Sequence, residues 1–151
     1  MLDIDIFIEK IKKKSRLMGI DPGGKRIGIA ISDENKIVAT PYTTIIRQNY
    51  TDLVSNIKKI VKEHDIKGIV IGNPLNMDGS SGRSVQSVND VSNNIDKAID
   101  IDVCLWDERL STVGAFNLSS QLDVNVSKRE KNIDQNAAAF ILQGAIDFLN
   151  N

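Results

Sequence analysis

Residues 16–32 read Arg16-Leu-Met-Gly-Ile-Asp-Pro-Gly-Gly-Lys-Arg-Ile-Gly-Ile-Ala-Ile-Ser32, and how this stretch divides decides the fold. The run from Arg16 to Asp21 is short, apolar and ends in an acid, which suits a buried strand. Pro22-Gly23-Gly24 is turn chemistry, because proline presets φ and glycine turns the chain at no steric cost. Beyond it, Ile27, Ile29 and Ile31 alternate with Gly28, Ala30 and Ser32. This period of two predicts a strand with bulky residues on one face and a second face that packs closely. The same letters, read from Gly19 to Lys25, nearly spell a phosphate-binding P-loop. Arg26 stands where that loop needs Ser or Thr for magnesium, and a strand follows where a helix must open. The P-loop reading fails on both points.

Working outward, Asp33-Glu34-Asn35 makes the next turn and residues 36–47 read as a third strand, giving an antiparallel meander. Upstream, Ile4, Ile8 and Ile11 predict a short helix over residues 3–14. Downstream the period lengthens. Leu53, Val54, Ile57, Ile60 and Val61 mark a helix capped near Asn49 or Thr51. Residues 68–72 form a continuous apolar strand of the doubly buried, parallel kind. A loop rich in Gly, Pro, Asn and Ser follows over 72–82, and then Val85, Val88, Val91, Ile95 and Ile99 mark another helix. The next strand, 101–106, runs into Asp107-Glu108-Arg109, and Ser111 can cap a short helix carrying Ala115, Phe116 and Leu118. Residues 121–132 read as a polar loop, and Ala138, Ile141, Leu142, Ala145 and Leu149 give a last amphipathic helix. The order β-β-β-α-β-α-β-α-α implies an α/β fold, with a mixed sheet of three antiparallel strands and then α/β units, flanked by helices. It is also the order of the ribonuclease-H-like fold.

With 151 residues, 41% hydrophobic and 26% charged, and no repeat or linker, the chain fits one domain over 16–151 with a helical N-terminal extension, 1–15. No run reaches the roughly 18 apolar residues of a membrane span. Asp3, Asp5 and Glu9 break up the N-terminus as a secretory signal, so a cytoplasmic setting without a membrane partner is expected. The single cysteine, Cys104, rules out an internal disulfide and reads as a small buried hydrophobe. The single histidine, His64, ends a helical pattern, and a capping or surface role fits it. Histidine triads and zinc sites therefore lack material. A net charge of −1 gives no overall case for nucleic-acid binding. Basic residues do cluster locally, at Lys10, Lys12, Lys13, Lys14 and Arg16, at Lys58, Lys59 and Lys62, and at Lys128, Arg129 and Lys131.

Three acids stand where crevices form. Asp21 leaves the first strand beside a glycine turn bearing Lys25 and Arg26, though Asp-Pro-Gly is also an ordinary turn. Glu108 and Arg109 leave a buried strand, where open α/β sheets bind ligands. Asp134 reads first as the N-cap of the last helix. Magnesium is held by a few carboxylates with water and substrate phosphate and needs neither His nor Cys. Two such ions about 3.5–4 Å apart can activate water and stabilise the leaving oxygen of a phosphodiester. Spacing alone does not show that the three acids converge.

Four blocks in order carry a resemblance over residues 17–149: Gly-Ile-Asp-Pro-Gly-Gly-Lys-Arg-Ile-Gly-Ile-Ala at 19–30, Pro-Leu-Asn-Met-Asp-Gly-Ser at 74–80, Asp-Glu-Arg-Leu-Ser-Thr at 107–112, and Asp134 ahead of Ala-Ala-Ala-Phe-Ile-Leu-Gln at 137–143. In these the chain resembles the YqgF family of Holliday-junction-resolvase-like proteins, of the ribonuclease-H-like superfamily. Members are associated with maturation of the 5′ end of pre-16S ribosomal RNA. The resemblance implies a nuclease with a two-metal site using Mg²⁺ or Mn²⁺, with Asp21, Glu108 and Asp134 as catalytic metal-binding carboxylates. Lys25, Arg26 and Arg109 would contact phosphate, and the 72–82 loop would border the site. Expected partners are precursor ribosomal RNA, branched DNA and ribosomal precursor particles, acted on by a monomer or homodimer. Two departures stand out: residues 1–15 extend past the usual family start, and Asn73 occupies a position where an apolar residue is expected. The rival readings are a non-catalytic RNA- or ribosome-binding biogenesis factor and a Holliday-junction resolvase acting on DNA. ATP handling of the actin-like kind is disfavoured, since one small domain supplies half of that cleft.

Overall fold

The computed structural model describes residues 2–11, 14–23, 25–73, 83–107 and 126–150. Its elements are α1 (Ile4–Lys10), β1 (Arg16–Pro22), β2 (Arg26–Ser32), β3 (Ala39–Ile46), α2 (Tyr50–His64), β4 (Ile66–Asn73), α3 (Arg83–Ala98), β5 (Asp102–Asp107) and α4 (Val126–Leu149). The strands form one sheet in the order β3-β2-β1-β4-β5. The meander expected from the turns is present, with β1–β2 and β2–β3 antiparallel. Strands β4 and β5 join parallel to β1, each reached through a helix.

Alternation along the strands sorts the core into two layers. Met18, Ile20, Ile27, Ile29, Ile69, Ile71 and Val103 face α2 and α3, meeting Leu53, Ile57, Ile60, Val91 and Ile95. Leu17, Ala30, Val70, Cys104 and Trp106 face the other way, onto Phe7 of α1 and Ala138, Ile141, Leu142, Ala145 and Ile146 of α4. The small residues of β1 and β2 lie on this second face. A Cβ on Gly19 would meet Leu142 Cβ at 2.6 Å and the Ala138 carbonyl at 2.8 Å, so α4 rests almost directly on the sheet. Gly68 gives the same clearance to Phe7 and Ile11, each 2.7 Å from its would-be Cβ.

Helix α2 begins at one of its two candidate caps: Asn49 Oδ1 accepts from the Asp52 amide at 2.8 Å. It ends at Asp65, in the left-handed conformation with φ 53°. His64 lies at the surface, 3.1 Å from the Tyr42 hydroxyl. Ahead of β1, α1 buries Phe7, and Leu2 adds a parallel bridge to Cys104.

Some boundaries differ from the expectation. The first helix covers Ile4–Lys10 of the expected 3–14. The third strand begins at Ala39 and not at residue 36, because Asp33 organises 33–38 as a turn. Its carboxylate accepts from the amides of Ile37 and Val38 at 2.7 and 3.0 Å, and Lys36 takes a left-handed φ of 55°. The polar loop expected over 121–132 is overturned from residue 126 onward, where α4 has already begun. Lys128, Arg129, Glu130 and Lys131 are good helix formers with no apolar stripe, so a reading by hydrophobic period passes over them. The helix expected after Ser111 and most of the 72–82 loop lie outside the described residues.

Candidate functional site

The candidate site lies where β1 ends, on the α4 face of the sheet. Leu17 belongs to the α4 layer and Gly19 lies against Leu142, so Asp21, four and two residues further on, points to that face too. Asp21 pairs across the ladder with Gly28. A Cβ at Gly28 would run into the main-chain carbonyl of Asp134. One glycine thus lies beside Asp21 in the sheet and beneath Asp134 in the helix. This is how residues 113 positions apart reach one end of one face.

Asp134 is not the N-cap that its neighbours suggested. It sits inside α4, two turns from the start at Val126, because the polar residues before it are already helical. Its side chain is therefore free of a capping duty and leaves the helix toward β2. There Arg26 Nε donates to Asp134 Oδ2 at 2.8 Å. One strand nearer the edge of the sheet, the Thr44 hydroxyl of β3 donates to Gln135 Oε1 of α4 at 3.5 Å. Gln143 fixes the other end of β3: it accepts from the Ala39 amide at 2.9 Å and donates to the Ile37 carbonyl at 3.0 Å. These contacts tie α4 to β2 and β3 along the face to which Asp21 belongs.

Cations gather at the same end. The β1–β2 turn exposes Lys25 and Arg26, and the Arg47 amide donates to the Lys25 carbonyl at 2.7 Å. Arg47 in turn lies over the Tyr50 ring, 5.0 Å from its centroid. Arg47 was not among the residues expected here. Its place shows only once β3 is paired to β2, since no motif contains it. Glu108 and Arg109 lie outside the described residues. Trp106, two residues before Glu108, is buried on the α4 face. Among the described residues no three His, Cys, Asp or Glu side chains form a metal-sized group.

Cys104 has no part in this site. It is buried beneath α1 and α4, burial pushes its thiol up to about 12, and its Sγ donates to the Leu105 carbonyl at 3.3 Å. No described helix is long and apolar enough to cross a membrane.

The chain is similar to several known proteins. A Pelagibacter ubique protein named "Putative pre-16S rRNA nuclease" is 64% identical over the full length of both chains. A Ruegeria pomeroyi protein of the same name is 41% identical, covering 98% of this chain and 96% of its own. Among solved structures, Thermus thermophilus RuvC in complex with a Holliday junction substrate aligns with a TM-score of 0.59 at 12% identity, over 87% of this chain and 93% of RuvC. That likeness establishes the ribonuclease-H-like fold. The model of the RuvX family, described as Holliday junction resolvase, matches residues 15–148, and the chain belongs to this family of nucleases.

Proposed function

We propose that this protein is a divalent-metal-dependent endonuclease that hydrolyses RNA phosphodiester bonds in maturing the 5′ end of pre-16S ribosomal RNA. The observation that carries the reading is that Gly28 lies beside Asp21 in the ladder and against the Asp134 main chain in α4, which brings both acids toward one end of one sheet face. Glu108 would complete the set from the end of β5, where Trp106 already faces the same way. The names of the relatives at 64% and 41% identity support the substrate.

The donor set fits the implied metal. Carboxylate oxygens are what Mg²⁺ and Mn²⁺ prefer, and Asp21 and Asp134 offer nothing softer. Bound there, such ions would supply positive charge against the phosphate and activate water as the nucleophile. The protein's own part is to hold the carboxylates rigidly, through Gly28 below Asp134 and the β1–β2 ladder beside Asp21. Lys25, Arg26 and Arg109 would bind the phosphate and neutralise the charge that grows on it as the P–O ester bond breaks. The water oxygen ends on phosphorus, and the leaving ribose oxygen takes a proton.

A second substrate is favoured by the family description, Holliday junction resolvase. Symmetric cutting of a four-way junction requires two active sites and hence a dimer. The deciding experiment offers end-labelled pre-16S RNA and a four-way DNA junction to the protein with Mn²⁺ or with EDTA, alongside its mass in solution. Metal-dependent RNA cutting supports the proposal. Junction cutting by a dimer moves the substrate to DNA. RNA held equally well in EDTA and never shortened makes the protein a binding factor.

A further inference from the structure

Arg26 and Asp134 were each assigned to the site, one for phosphate and one for metal, yet they are bonded to each other. The Arg26 Nε–Asp134 Oδ2 distance is 2.8 Å, short enough for a charge-assisted hydrogen bond. The two partners differ in how firmly they are held. The Asp134 side chain is 19% exposed and fixed on a helix that packs on Gly28, whereas that of Arg26 is 57% exposed, at the start of a strand beside a glycine turn. The acid is the fixed member of the pair and the guanidinium the movable one.

A carboxylate held in a partly buried place needs a counter-charge, or its own desolvation is uncompensated. Arg26 supplies one without metal. A divalent cation on Asp134 supplies another, and the two positive charges repel each other at that distance. We propose that Arg26 is an exchangeable counter-ion: it occupies Asp134 when the site is empty of metal and is released toward the substrate phosphate when metal binds. The inference rests on Asp134 being a metal ligand. It adds an order of events, in which the metal frees the cation that the phosphate needs. Metal and RNA then bind with positive coupling, which by linkage acts equally in both directions.

The test follows the Arg26 Nε–H resonance by ¹H–¹⁵N NMR of the full chain during Mg²⁺ titration, assigned with Arg26→Lys. It also measures Mn²⁺ affinity for the parent, Arg26→Gln, Arg47→Gln and Asp134→Asn. The Nε–H signal should exchange slowly with solvent in EDTA and move to the free-arginine position at saturating Mg²⁺. Arg26→Gln should tighten Mn²⁺ by about threefold or more, in line with removal of a competing ion pair. Arg47→Gln, which deletes a charge at the same end of the sheet, should change it far less. An Nε–H signal unmoved at saturating Mg²⁺, or equal tightening in Arg47→Gln, overturns the exchange while leaving Asp134 a ligand. Undiminished metal binding by Asp134→Asn overturns the ligand assignment itself, and the exchange with it.

Discussion

The space that a Cβ would need at Gly28 is taken by the main-chain carbonyl of Asp134. This contact sets the height of α4 above the sheet at the point where the candidate site is built. Because the obstacle is helix backbone, it cannot turn aside as the end of a flexible side chain would.

Gly28→Ala should therefore do two things at once. Overpacking of this kind costs about 1–3 kcal/mol, read as a lowered melting temperature or denaturant midpoint. The shift of α4 should also lower nuclease activity by more than the loss of folded protein explains. A variant with parental stability and rate would show that the close approach has no role.

Asp33 governs the turn into β3. The hydrogen bond from the Val38 amide lowers its pKa below the ordinary carboxylate value, against desolvation, which raises it, and with help from the Ile37 amide. A carboxyl depressed in the folded state contributes stability above its unfolded pKa and loses it as pH falls through the folded one. Asp33→Ala should cost about 1–2 kcal/mol at neutral pH. The gap between parent and variant should close below about pH 4. Denaturant melts at pH 7 and pH 3 check this, and a gap that widens in acid would contradict it.

Cys104 should be inert in the native protein. With its thiol pushed up to about 12 by burial and no exposed surface, it offers neither thiolate nor access at pH 8. Iodoacetamide or a disulfide reagent should modify it only after unfolding, so the labelling rate reports global opening. Fast labelling of folded protein would place the α1 segment off the sheet.

Much of the fold is written in periods of two and of 3.6. Residues 16–32 show both faces of β1 and β2, and the small-residue face proves to be the one on which α4 lies. What covers that face is not legible, because Gly28 carries no sign of its partner 106 residues away. The start of α4 is hidden for a related reason. Lys128 to Asn132 carry no apolar stripe in sequence, so the hydrophobic period reads as a loop where propensity builds a helix. With those residues helical, Asp134 lies within α4 instead of capping it. Asp21 stands at the end of β1, where a glycine turn after an apolar run marks a strand exit. The ion pair from Arg26 to Asp134 joins two motifs that the sequence presents as separate, and only the packing of α4 on β2 reveals it.

The most direct test of the central claim is the Mn²⁺-dependent cleavage rate of end-labelled pre-16S RNA by Asp21→Asn and Asp134→Asn, each first shown to melt like the parent. Both should fall by about a hundredfold or more, since each removes a charge that we propose holds the metal. Cleavage at the parental rate by either folded variant would contradict the account.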